Sequence, residues 1–180
     1  MERQVFESMT LCPIDGRYAG IKDALAPYFS EYALVKYRVF VEIQWLKFLI
    51  ENIDNDILKR FDQSKMNQIE AIANDFDEAA FAKIKEIEAT TRHDVKAVEY
   101  YIGNTLKEMG CDDLISFVHI GCTSEDINNT SYACMIKHGL QDVWLKKANE
   151  VVDAMNKWAI EHSDDAMLAH THGQPATPTT

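Results

Sequence analysis

The run Thr171-His172-Gly173-Gln174-Pro175 places an imidazole on a conformationally restricted segment. Histidine titrates near neutrality, so it can give or take a proton at working pH. Gly173 permits a backbone turn, and Pro175 and Pro178 stiffen the residues after it, so the spacing predicts a loop that holds the ring in place. A positioned general acid or base is the chemistry such a segment supports. His170 and His172 also invite a metal reading, but no Glu or Cys stands at a helpful ligand spacing.

Three further polar segments interrupt the chain. Pro13-Ile14-Asp15-Gly16-Arg17-Tyr18 contains an Asp-Gly turn that presents a guanidinium beside a phenol. Arg17 suits bidentate contact with phosphate or carboxylate, and Tyr18 can donate to the same anion. The bland alternative is a surface turn with a solvated arginine. In Thr90-Thr91-Arg92-His93-Asp94-Val95-Lys96, Thr91 and Asp94 match a capping box. A helix starting there would offer free N–H groups to an anion, with His93 and Lys96 on one face. The alternative is an ordinary capped helix. In His119-Ile120-Gly121-Cys122-Thr123-Ser124-Glu125-Asp126-Ile127-Asn128-Asn129, Thr123 and Asp126 match a second box. Two adjacent hydroxyls, Thr123 and Ser124, at a helix N-terminus suit a carboxylate, although a plain N-cap gives the same pattern. Asn128 and Asn129 are poor helix formers, tolerated best when their amides have partners.

The elements that must carry these segments read as helices. From Ser30, a suitable N-cap, Leu34, Tyr37, Val41, Trp45, Phe48 and Leu49 recur at spacings of three and four. Ser64 to Phe76 predicts a second helix with Ile69, Ile72 and Ala73 inward. Asp77 caps a third, with Ala80, Phe81, Ile84 and Ile87 as its stripe. The stripe resumes after residue 94 with Val95, Val98, Tyr101 and Ile102 and ends near Gly110. Ile115 to Gly121 is of ambiguous type. Thr123 then opens a long helical pattern to about Glu161, with a break near Gly139, and Val143, Val151, Val152, Met155, Trp158 and Ala159 form its apolar face. No repeat, low-complexity segment or strong strand alternation is present, so the expected fold class is all-α.

Composition narrows the function. With 47% apolar residues the chain can fill a core, and seven Gly and four Pro in 180 residues argue against a turn-rich β protein. No stretch reaches the roughly 20 apolar residues of a membrane helix, and the N-terminus lacks a signal-peptide pattern. Cys12, Cys111, Cys122 and Cys134 form no CxxC pair, which points to free thiols in a reducing cytosol. The net charge of −11 argues against nucleic-acid binding. An anionic small substrate would need a site that gathers its own cations and helix N-termini.

PIDGRY near the start, TTRHDVKAVEYY mid-chain, HIGCTSEDINN next and THGQPATPT last together resemble, in order and spacing, the adenylosuccinate lyases of the fumarase/aspartase superfamily, of the bacterial type. The resemblance covers essentially the whole chain. It implies β-elimination of fumarate from adenylosuccinate, giving AMP, and from SAICAR, giving AICAR, in purine nucleotide biosynthesis. It implies no metal and no organic cofactor, a small-molecule nucleotide substrate, and a cytoplasmic homotetramer whose active sites combine segments of three subunits. Such chemistry needs a base for the proton beside a carboxylate, an acid for the leaving nitrogen, and stabilisation of an aci-carboxylate.

Carried over by motif, the resemblance makes His172 the general acid and His93 its helper in positioning or charge balance. Arg17 and Tyr18 would hold the phosphate, and Thr123 and Ser124 a succinyl carboxylate. His119, Arg92, Asp94, Lys96, Thr171 and Gln174 would be further members of the site. The implied division is an N-terminal helical domain, 1–112, and the start of a central helix bundle, 113–180. Family members continue past this point into a loop whose serine acts as base. The chain is therefore expected to be the N-terminal portion of a larger enzyme and inactive alone. A helical nucleotide-binding or assembly module without catalysis is the alternative.

Overall fold

The computed structural model describes residues 12–180, which fall into two compact units, one up to Gly139 and one from Leu140. Helices account for 71% of the described residues and the only sheet described has two strands, so the fold is all-α, as expected.

In the first unit the central element is α1, Glu31–Asn52. Ser30 caps it, its hydroxyl accepting the Ala33 N–H at 3.1 Å. The three- and four-residue stripe read from the sequence covers only part of its buried surface. Val35, Val39, Ile43, Leu46 and Ile50 are buried as well, while Phe48 is half-exposed. A helix wrapped on several sides has no single apolar face, and periodicity under-reports it.

Around α1 pack α2 (Met66–Asn74), α3 (Glu78–Thr91), α4 (Asp94–Glu108) and α5 (Ser124–Gly139). Ile69, Ile72 and Ala73 face inward on α2, and Asp77 caps α3 by accepting from the Ala80 N–H at 2.8 Å, both as the sequence predicts. Ile43, Leu46, Ile69, Ile84, Ile102 and Leu106 close one core, each such side chain contributing about 1.5–3 kcal/mol by leaving water. A smaller cluster of Val41, Val95 and Ile127, flanked by Phe40 and Cys122, joins α1 to the first turns of α4 and α5. That cluster positions the candidate site.

The ambiguous stretch becomes a 3-10 helix, Asp112–Phe117, followed by turns with positive φ at His119 and Gly121. The break expected near Gly139 is real. A Cβ there would meet the Phe29 ring at 2.6 Å, so only glycine lets α5 end against it.

The second unit opens with a π-helical turn, Leu140–Trp144, and continues as α6, Leu145–Glu161. The expected apolar face of α6 is present but exposed: Val151, Met155 and Trp158 are each more than half accessible. Beyond it the sequence reading needs correction. The segment read as a loop is a β-hairpin, β1 (Met167–Thr171) against β2 (Gln174–Thr179), with Thr171 paired to Gln174. His172 and Gly173 form its two-residue turn with φ of 51° and 76°, the positive pair that a type I′ turn requires. Pro175 and Pro178 argued against a strand, but in a two-stranded sheet each strand has an open edge where a missing N–H costs no pairing.

Candidate active site

Two charged residues buried on α1, one helical turn apart, organise two of the four polar segments. Arg38 is 5% exposed. Its Nε donates to Asn128 Oδ1 at 2.9 Å and its Nη2 to Asp94 Oδ2 at 2.6 Å. One guanidinium therefore ties the first turn of α4 to the first turn of α5. Glu42, 1% exposed, shares a hydrogen bond between its Oε1 and His119 Nδ1 at 2.6 Å. Close by, Trp45 donates its indole N–H to the Ile120 carbonyl at 2.9 Å. The helix that looked like plain core is thus the scaffold of the site.

The Thr91–Asp94 capping box does not form. α3 runs to Thr91, Arg92 takes a left-handed φ of 53°, and the N-cap of α4 is His93. His93 Nδ1 accepts the Lys96 N–H at 3.2 Å. The box fails because the chain reverses at Arg92 and the N-cap of α4 falls on His93, two residues later than the Thr-x-x-Asp pattern implies. His93 caps with a ring nitrogen, so its neutral form carries the proton on Nε2. Thr91 Oγ1 instead donates to the His93 carbonyl at 3.2 Å. Burial alone would raise the Asp94 carboxyl, but the Val95 N–H and the Arg38 guanidinium outweigh it and hold the group below the ordinary aspartate value.

At the start of α5 the second box forms in part. Asp126 Oδ2 accepts from the Thr123 N–H at 2.7 Å and from the Thr123 hydroxyl at 2.8 Å, and both bonds hold its carboxyl below the ordinary value. Asp126 already holds Thr123, one of the two residues assigned to a substrate carboxylate, so an incoming carboxylate must displace Asp126 to take the Thr123 donors. Asn128 and Asn129 both donate to Glu125, at 3.1 and 3.4 Å, which gives the unusual amide pair the partners it needs.

Arg17 and Tyr18 lie on the expected turn, closed by Asp15 and Gly16 N–H bonds to the Cys12 carbonyl at 3.0 and 3.2 Å. Both side chains are exposed, with the guanidinium 5.6 Å from the Tyr18 ring centre. Thr171, His172 and Gln174 belong to the hairpin of the second unit, His172 at its tip and exposed.

Strain tracks the motifs. Among the described residues, the non-glycine residues with positive φ are Arg92, His119 and His172, one in each of three candidate segments. Such backbone costs on the order of 1 kcal/mol or more per residue and persists where the surroundings enforce it, often at functional sites. A cavity of about 540 Å³ lies beside the α5 start, lined by Trp45, Phe48, Gly121, Cys122, Asp126 and Ile127 among others. Its wall is mainly apolar and includes none of the candidate catalytic or binding residues, so it flanks the polar cluster. Among the described residues no group of three or more His, Cys, Asp or Glu side chains is placed to hold a metal ion.

A family model described as Lyase matches residues 16–180, nearly the entire chain. The chain belongs to this lyase family. Curated relatives named adenylosuccinate lyase align along most of the lyase chain. That of Legionella pneumophila (strain Corby) is 43% identical over 171 residues, 94% of this chain and 38% of the relative. That of Vibrio cholerae is 45% identical over 169 residues, 93% and 37%. That of Escherichia coli K12 is 42% identical over 169 residues, 93% and 37%. The chain thus spans a little over a third of these relatives' length. No helix among the described residues is long and apolar enough to cross a membrane.

Arg38 and Glu42 are the site residues the sequence reading passed over. Their signal was available: two opposite charges four apart in a largely apolar helical run. Charged residues in such a run are buried only when paired.

Proposed function

We propose that this chain carries part of an adenylosuccinate lyase active site. An enzyme containing it would eliminate fumarate from adenylosuccinate to give AMP, and from SAICAR to give AICAR. The observation that carries the reading is the likeness to relatives of that name along nearly all of the chain.

In this reading His172 is the general acid at the leaving nitrogen. Its support is an exposed imidazole at the tip of a hairpin whose strained turn fixes where the ring can go. His93, with its Nε2 as the proton-bearing nitrogen, contacts substrate and balances charge beside Asp94 and Arg92. Arg17 and Tyr18 take the phosphate. Thr123 and Ser124 take a succinyl carboxylate after Asp126 yields, and His119, Lys96, Thr171 and Gln174 complete the surroundings. No metal or organic cofactor enters the reaction. The expected domain division, 1–112 and 113–180, and a cytoplasmic homotetramer belong to the same proposal. The exposed Val151, Met155 and Trp158 of α6 support an assembly face.

The test is adenylosuccinate cleavage by an enzyme containing this chain, measured as AMP and fumarate release. His172→Ala should lower turnover by ~100-fold or more, the usual scale for an acid–base group, with a smaller effect on binding. Turnover near normal in that variant would move the acid elsewhere, with His93 next. The exposed α6 face also favours a second reading, a helical assembly or nucleotide-binding module. AMP binding without turnover in the intact parent would support it.

A further inference from the structure

Glu42 is the least expected group in the molecule. Its side chain is fully buried in α1, yet only one of its oxygens is used. Oε1 meets His119 Nδ1 at 2.6 Å, while Oε2 has no hydrogen-bond partner among the described residues. A carboxylate placed for stability alone would have both oxygens satisfied, or would be replaced by an apolar residue of similar volume at little cost. Burial raises the Glu42 carboxyl, with Glu99 acting in the same direction and the hydrogen bond and charge of His119 opposing. The arrangement is costly, and what it secures is one orientation of one imidazole.

His119 is itself held under strain, at φ 64°. The Trp45 bond to the next carbonyl fixes the segment from the other side. With Nδ1 committed to Glu42, the second ring nitrogen is the one left to act. Nε2 stands 3.7 Å from Glu99 Oε1, beyond hydrogen-bond range, and Lys96 holds the other oxygen of Glu99 at 2.5 Å. Lys96 belongs to the segment that carries Arg92, His93 and Asp94.

We infer that Glu42 is a positioning residue for His119: its carboxylate takes the Nδ1 proton in hydrogen bond and presents Nε2 to a ligand between the α4 and α5 starts. The inference rests on the lyase reading for what that ligand is, a portion of the succinyl nucleotide. Glu42 touches no substrate and acts through the ring. In the neutral ring Nε2 is then an acceptor, and in the charged ring a donor to an anion.

The first readout needs no variant and no activity. Long-range proton–nitrogen correlation NMR on the protein, at a pH above the titration of the ring, reports the neutral tautomer of His119, assigned by its loss in His119→Asn. The expected result is the Nδ1–H form. In Glu42→Gln, whose amide can donate as well as accept, that form should lose population although circular dichroism shows the helices intact. An Nε2–H ring in the unsubstituted protein, or an unchanged tautomer in Glu42→Gln, overturns the inference.

The second readout is adenylosuccinate cleavage by an enzyme containing the chain. Glu42→Gln should lower kcat/KM about 10-fold, the lower end of what loss of a histidine-orienting partner costs in metal sites. His119→Asn should lose as much or more, and the double variant little beyond that. Normal kinetics in Glu42→Gln alongside an impaired His119→Asn also overturns the inference. An enzyme that cleaves no adenylosuccinate but keeps the Nδ1–H tautomer defeats the lyase reading and leaves the Glu42–His119 pairing standing.

Discussion

His93 combines two functions that substitution can separate. Its Nδ1 caps α4, and its Nε2 is free for chemistry. Asparagine keeps a cap acceptor and removes the imidazole; alanine removes both. Loss of a cap costs about 1 kcal/mol. His93→Asn should therefore melt close to the unsubstituted protein and lose turnover, whereas His93→Ala should lose turnover and about 1 kcal/mol of stability by denaturant unfolding. Equal turnover in His93→Asn and the unsubstituted enzyme would reduce His93 to a cap. At this scale the sequence was a good guide to residue types and a poor guide to partners. His93, His119 and Asp94 stood out as chemistry, but nothing local says that Asp94 meets Arg38 across 56 positions.

Among the elements, α1 is the scaffold, and it meets the first turns of α4 and α5 through a small apolar joint of Val41, Val95 and Ile127. Ile127 is 1% exposed and lies one residue before Asn128, which Arg38 holds. Ile127→Ala should cost about 2–5 kcal/mol, the range for emptying a buried isoleucine site. It should also slacken the Thr123–Asn128 turn, so catalytic loss should exceed what the unfolded fraction explains. Thermal unfolding with activity at a temperature where the variant is folded checks both. A variant of normal stability would mean that the joint does not hold the two helix starts together. The helices themselves were readable because capping and periodicity are local, as Ser30 and Asp77 show. The hairpin was not, because its strands lack apolar alternation and carry two prolines, and only the pairing of Thr171 with Gln174 reveals it.

For the first unit as a whole, acid should act through Asp94. Its folded carboxyl is held below the ordinary aspartate value, so its contribution is present above about pH 4 and fades as pH falls through the lowered folded value. Glu42 has the opposite sign: its carboxyl is raised, so the folded state binds that proton more readily than the unfolded chain does. Asp94→Asn should flatten the loss of stability below about pH 4, and Glu42→Gln should raise stability near neutrality relative to acid. Urea midpoints measured from about pH 3 to about pH 7 give the comparison. An Asp94→Asn curve parallel to that of the unsubstituted protein would remove the Arg38–Asp94 pair as a source of the acid response.

The sequence by itself determined the main helices, the Ser30 and Asp77 caps and the four polar segments, since each depends on neighbours within a turn or two of the chain. It also held the order of motifs on which the resemblance to the adenylosuccinate lyases rests. Tertiary structure decided which of those segments share a scaffold. Arg38 and Glu42 read as two charges in an apolar run until packing put Asp94, His119 and Asn128 against them. Packing likewise placed the chain reversal at Arg92, which undid one capping box. The reason is physical: a buried charge is tolerable only with a partner, and residues far along the chain become partners only when the core brings their helices together.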